Sequence, residues 1–378
     1  MAEGMSRRKY LKYVGSGLVG LAVGGGIGAI VGQSLSPAKE VVANPREKIF
    51  AGVSERSVAN PYGVGVVTGG EQLAKYLGLG GYTSMTFEGN SEVQLSQIES
   101  WISGKGKGNC ILYINPNEDG IVRPIAELCY DTETYLWVEW NKPVNLHPDE
   151  FQPYWVAFRV CDGFDSGYLM AKQLFEGMKK KTKYPGNICV IRGMLGNAVE
   201  YGRFMGLKKA LEENPEVTVL GGLENALPAD WNMEPAMKVM EQYISAFGAN
   251  KIHGVWAAND AEGLGAYEAC KAAGIQVPIT GTDAIPEFVK AIIEGKVWAT
   301  ASADPQWQSA TGLLACYLAK EYGWKPPMLE YAYTPPVVNP DNAQEYYDKF
   351  FKGGLPERNW FAELFYHPSK PYTPPQLT

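Results

Sequence analysis

Short apolar runs alternate with amphipathic stretches through most of this chain, and the alternation starts twice. In the first series, strand-like KIFAGVS (48–54), YTSMTFE (82–88), NCILYINP (109–116) and TYLWVEWN (134–141) are separated by helix-like segments at 62–77, 92–103 and 123–130. The second series begins at VAFRVCD (156–162) and continues through GNICVIRG, VTVLGGLE, KIHGVWAAND, VPITGTD and VWATASAD, again with helical spacing between the runs. A strand that must rejoin its neighbour in parallel needs a crossover helix, so this period predicts parallel sheets covered on both faces. Two series predict two lobes, an α/β fold of two doubly wound Rossmann-like halves. The length, 378 residues, suits two such lobes better than one core.

The net charge is −7, but it is unevenly placed. Residues 1–36 carry Arg7, Arg8, Lys9 and Lys12 against Glu3, a net of +3, which leaves the remaining chain at −10. An acidic body argues against nucleic acid as a partner. The six cysteines form no CxxC pair, and Cys110 and Cys189 sit in strand-like runs, so we expect small buried hydrophobes. His147, His253 and His367 are scattered, so neither a metal site nor a cofactor is expected. GxSxG, HExxH and P-loop patterns are absent, and the expected protein is not an enzyme.

Residues 6–12, SRRKYLK, match the twin-arginine export pattern, and Tyr13 to Ala38 carry no charge. We therefore set residues 1–43 aside as a signal or anchor segment. Val41-Val42-Ala43 is a mediocre cleavage site. Gly20, Gly24, Gly28 and Gly32 would line one helix face, the pattern of a retained membrane anchor. The expected location is extracytoplasmic.

In doubly wound sheets, ligands bind beyond the carboxyl ends of the strands. Those ends carry Asn60-Pro61-Tyr62, Asn115-Pro116, Glu139-Trp140-Asn141, Asn259-Asp260 and Thr282-Asp283. Each Asn or Asp alone fits a turn or cap equally well. As a set, amides and carboxylates suit vicinal hydroxyls, and flat rings suit the apolar face of a sugar.

The order and spacing of GVWAANDAEGLGAYEACKAAG, VPITGTDAIPE and GKVWATASADPQWQ resemble periplasmic sugar-binding proteins of the ribose-binding type, the type 1 periplasmic binding proteins. The resemblance covers about residues 47–333. It implies a substrate-binding protein of an ABC importer, monomeric, with a sugar as ligand and a membrane permease as partner. It implies ligand contacts from Asn60, Tyr62 and Asn115 in the first lobe and from Arg203, Trp231, Asn259 and Asp283 in the second. The acidic position after the fourth strand falls on Glu139 or Asn141. Departures from the ribose pattern at Arg56, Gly63, Thr282 and Ala303 point to a bulkier or differently hydroxylated ligand. A ligand-sensing receptor domain with the same fold is the alternative function. A repressor of this fold would need a DNA-binding module where the export signal stands.

The resemblance also implies a three-crossing hinge, with crossings near Val160–Asp162, Ser302–Asp304 and Tyr331–Pro335. The lobes would be 47–160 plus 303–331, and 161–302 plus 332–378. The tail from Tyr331 to Thr378 is expected to pack on the second lobe.

Overall fold

A computed structural model describes residues 45–374; the export and anchor readings lie outside them. The N-terminal lobe opens with β1 (Phe50–Glu55), α1 (Pro61–Leu77), β2 (Gly81–Thr86), α2 (Ser91–Lys105), β3 (Cys110–Ile114), α3 (Val122–Asp131), β4 (Tyr135–Glu139) and β5 (Trp155–Cys161). The chain then crosses into α4 (Gly163–Lys181), β6 (Asn187–Arg192), α5 (Ala198–Glu212), β7 (Thr218–Val219), β8 (Leu227–Pro228) and α6 (Met233–Phe247). The same lobe continues with β9 (Gly254–Ala257), α7 (Asp260–Ala272), β10 (Ile279–Asp283), α8 (Pro286–Ile293) and β11 (Ala299–Ser302). It returns through α9 (Pro305–Tyr322) and β12 (Glu330–Tyr333), and ends with β13 (Val337–Val338), α10 (Ala343–Phe350), α11 (Trp360–Glu363) and β14 (Ser369–Pro371).

These elements form two sheets. One runs β14-β12-β5-β4-β3-β1-β2; the other runs β13-β11-β10-β9-β6-β7, with β8 also paired to β6. Pairing is parallel except at β14 and β13, which close one edge of each sheet in antiparallel fashion. The protein is a two-lobed type 1 periplasmic binding fold. β5 belongs to the first sheet and α4 to the second lobe; α9 and β12 return to the first, and β13 to the second.

Local chemistry explains why the helices start where they do. Asn60 caps α1, its side chain accepting from the Tyr62 backbone N–H at 2.9 Å, with Pro61 in the first helical turn. Asn197 and Asn259 cap α5 and α7 in the same way. These caps stand at strand-to-helix turns, so the residues that begin each helix also face the space beyond the sheet. Helix α1 packs on α9 through Gly69, where a Cβ would lie 2.1 Å from the Gln306 carbonyl oxygen. All six cysteines are buried and unbridged, and burial pushes the Cys110 and Cys270 thiols up to about 12. Among the described residues, no helix is long and apolar enough to cross a membrane.

The tail departs from expectation. Residues 332–374 do not simply pack on the second lobe. Helix α10 does, against α8, but α11 lies on α9 of the first lobe and β14 joins the first sheet beside β12. The physical reason is the open edge of β12, whose unpaired backbone groups β14 satisfies. Trp360 and Leu364 are buried in the same move.

Candidate functional site: the cleft between the lobes

A cavity of about 600 Å³ opens between the two lobes. Of the expected residues, Asn60, Tyr62, Asn115, Asn141, Arg203, Trp231, Asn259 and Asp283 all line it. Glu139 does not. Strand alternation puts Glu139 on the same face as Trp137, turned into the first lobe, where it accepts from Trp137 Nε1 at 3.0 Å. There it also receives Arg159 Nε at 3.0 and 2.9 Å and Gln308 Nε2 at 3.3 Å. Both the carboxylate and the guanidinium are inaccessible to solvent. Asn141, the other candidate, reaches the cleft, and its Oδ1 is buried with no hydrogen-bond partner in the protein.

Between them, Trp140 leaves the strand with φ of 73° and lines the cleft. A left-handed backbone is unusual for an aromatic residue and marks a position that its surroundings dictate. Its indole N–H donates to the Tyr62 hydroxyl, which bonds Gln308 Oε1. A chain of buried polar contacts thus runs from the Glu139–Arg159 pair to the first lobe's aromatic wall.

Trp231 faces the cleft from the second lobe, also left-handed with φ of 66°. Its backbone N–H donates to Glu262 Oε1 at 2.9 Å, and its carbonyl accepts from Asn259 Nδ2 at 3.3 Å. The ring rests on Gly193, where a Cβ would come within 2.3 Å of the indole. Asn259 also caps α7 through Oδ1, so both ends of its amide are engaged in holding this wall.

Arg203 sits between the two walls. Its guanidinium carbon lies 5.3 Å from the ring centre of Trp140 and 5.3 Å from that of Trp231. Nη1 donates to the Ala258 carbonyl at 2.7 Å, Nη2 stands 3.7 Å from Asp283 Oδ1, and Nε is buried without a partner. Neighbouring Glu200 is held instead by Arg192 at 2.7 and 2.9 Å. Burial pushes the Asp283 carboxyl up to about 7, although Arg203 pulls the other way.

Sequence reasoning left out Glu55, Asn117, Met194 and Asn197, which also line the cleft, as does Arg56, singled out there only as a departure from the ribose pattern. Burial pushes Glu55 up to about 7, opposed by hydrogen bonds from the Arg56 backbone and from Asn115 Nδ2 at 3.1 Å. Arg56 reaches across the opening, with Nη1 bonded to Asn117 Oδ1 at 2.8 Å and 3.8 Å from Met194 Sδ of the second lobe. Glu55, Arg56 and Asn117 stand at or just past strand ends, so the strand-end rule could have found them.

A sequence profile of the periplasmic binding protein domain matches residues 52–322. The chain is 34% identical to a xylitol-binding protein of Mycolicibacterium smegmatis over 52% of its own length, which spans half of that relative. It is 25% identical to the D-allose-binding periplasmic protein of Escherichia coli, covering 83% of this chain and 93% of that one. The crystal structure of a twin-arginine translocation pathway signal protein from Burkholderia phytofirmans superimposes with a TM-score of 0.79 at 32% identity, over 86% of this chain and 98% of the other. The two-lobed fold, the cleft beyond the strand ends and the profile match over most of the chain agree: the protein belongs to the periplasmic binding protein domain family.

Proposed function

We propose that this protein is the extracytoplasmic solute-binding subunit of an ABC importer, and that it closes its lobes on a neutral sugar or polyol and hands it to a membrane permease. The carrying observation is Arg203, buried between Trp140 and Trp231 with Nε unpartnered and Asp283 beside it. An arginine and a carboxylate so placed donate to and accept from neighbouring hydroxyls, while the indoles cover C–H faces. Asn60, Asn115 and Asn141 add amide groups from the first lobe, and Asn141 Oδ1 awaits a donor. Glu55 and Asp283 disfavour an anionic solute. The relatives named for xylitol and D-allose fall within the same ligand class. Binding is the whole activity: no step requires bond making, and the ligand favours closure through contacts made to both lobes.

In this reading the protein works as a monomer, exported by the twin-arginine route. The test is a thermal-shift screen over pentoses, hexoses, disaccharides, polyols and nucleosides, followed by calorimetry of the hits. A cognate ligand raises the melting temperature by mass action and binds with Kd near micromolar, about −8 kcal/mol. Tight binding of amino acids or phosphate, with none of any polyhydroxyl compound, overturns the proposal.

A further inference from the structure

The tail crosses between the lobes once more after the three hinge segments. Helix α10 is fixed to the second lobe: it packs on α8, and Tyr346 OH bonds Ser302 Oγ at 2.6 Å. Residues 355–363 and the backbone of β14 are fixed to the first lobe. The Leu355 carbonyl accepts from Gln72 Nε2 at 3.1 Å, and the Pro356 carbonyl accepts from Gln306 Nε2 at 2.8 Å. Trp360 is buried, the Glu363 carbonyl accepts from Trp307 Nε1 at 2.6 Å, and β14 is hydrogen-bonded to β12. Between the two anchors lie Phe351, Lys352, Gly353 and Gly354. Both glycines are exposed and left-handed, with φ of 85° and 107°.

The tail also grips the hinge itself. Asp304, in the second crossing, has φ of 51° and caps α9. Arg358 Nη1 donates to both its oxygens at 2.8 and 2.9 Å, and His367 Nε2 lies 3.8 Å away. Burial pushes the Asp304 carboxyl up, but the Arg358 guanidinium and His367 outweigh it and hold it well below the usual carboxylate range. At the first crossing, Lys370 of β14 pairs with Asp162 and Asp165 at 2.8 Å each.

We propose that residues 351–370 form a strap across the hinge, a fourth tether that limits how far the lobes rotate apart, with Arg358 positioning the hinge residue Asp304. A protein joined by three flexible segments can swing over a wide range. One tied also by a short link, and clamped at two crossings, samples a narrower one. This goes beyond the ligand reading and holds whatever the solute is.

The experiment measures lobe separation in the ligand-free protein. Spin labels at Glu99→Cys on α2 and Glu241→Cys on α6, both exposed, report the distance between lobes by double electron–electron resonance. Inserting Gly-Ser-Gly-Ser between Gly353 and Gly354 adds roughly 13 Å of slack while leaving each anchored contact in place. The inserted protein should melt like its parent yet show a distance distribution about twice as broad, since slack in a tether widens the populated range. Arg358→Ala should broaden it as well, and Arg358→Lys should restore part of the narrowing. If Arg358→Ala fails to fold, the insertion alone decides. An insertion mutant with an unchanged distribution overturns the strap. Because no ligand is present, that outcome leaves the solute-binding reading untouched, and failure of the ligand screen leaves the strap untouched.

Discussion

The two lobes share one architecture but partner their buried carboxylates differently, although burial raises Glu139 and Glu55 in the first lobe as well. In the first, Glu139 and Arg159 are matched group for group: Arg159 spends its remaining donors on Thr311 Oγ1 at 2.9 Å and the Gln308 carbonyl at 2.6 Å. In the second, Asp260, Glu262 and Asp283 are all buried near one arginine, Arg203, and burial raises the pKa of each. A fully satisfied network rigidifies what it touches, here the Tyr62–Trp140 wall. In the under-compensated cluster, Arg203 and Asp283 line the cleft, and Arg203 Nε is buried without a partner. The difference suggests a fixed wall in one lobe and a hydrogen-bonding floor in the other.

The sharpest way to break this contrast is to remove the arginine on each side. Arg159→Ala strands a buried carboxylate and should cost about 3–5 kcal/mol of folding stability, read by urea unfolding. A cost below about 1 kcal/mol would show that the first lobe's pair is not the support we take it for. Arg203→Ala should leave the fold standing, because Asp283 can take a proton, and should cost roughly 2–4 kcal/mol of ligand affinity by calorimetry. Trp231→Ala should act similarly, since the second indole covers the ligand. A variant that loses stability but keeps affinity marks its residue as structural.

Titration sharpens the comparison further. Asp283 and Glu55 have folded values of about 7, above the ordinary 3.8 and 4.5, so the native state holds protons that the unfolded chain has released. Their contribution favours folding below the unfolded values and is progressively lost as pH rises through about 4 to 7. The ligand-free melting temperature should fall across that window, and Asp283→Asn should flatten the second-lobe part of the slope. The smallest effect belongs to Asn141→Ala. It removes a buried acceptor that nothing satisfies, so stability should move by less than about 1 kcal/mol while affinity drops by about 1 kcal/mol if a ligand hydroxyl donates there. An unchanged affinity would take Asn141 out of the site.

Much of this cleft was legible because strand ends and helix caps coincide. Asn60 and Asn259 are read from sequence as polar groups at the start of helices, and the doubly wound topology then directs them to one opening. Glu139 was misplaced by its register. At the end of β4 one residue separates the inward face from the cleft, and composition cannot tell which of Glu139, Trp140 and Asn141 turns outward. The left-handed φ at Trp140 decides it, and the indole so placed bonds Tyr62, 78 residues earlier in the chain. The tail was unreadable for a related reason. Its sequence reads as one more helix and an aromatic, Pro-rich wrap, and where these go depends on an open edge at β12 and on Asp304.

By itself, then, the order of apolar runs determined two parallel sheets with covering helices, because alternation of strand and helix admits few other ways to bury both faces. Caps and strand-end amides are local features, set by residues adjacent in sequence. Tertiary structure alone decided which carboxylate is neutralised inside a lobe and which is held at the cleft. It also set Arg203 between two indoles from opposite lobes and bound the tail across the hinge. Each of these depends on groups far apart in the chain meeting in a low-dielectric space, where pairing and burial set the energies and no local pattern records the partner.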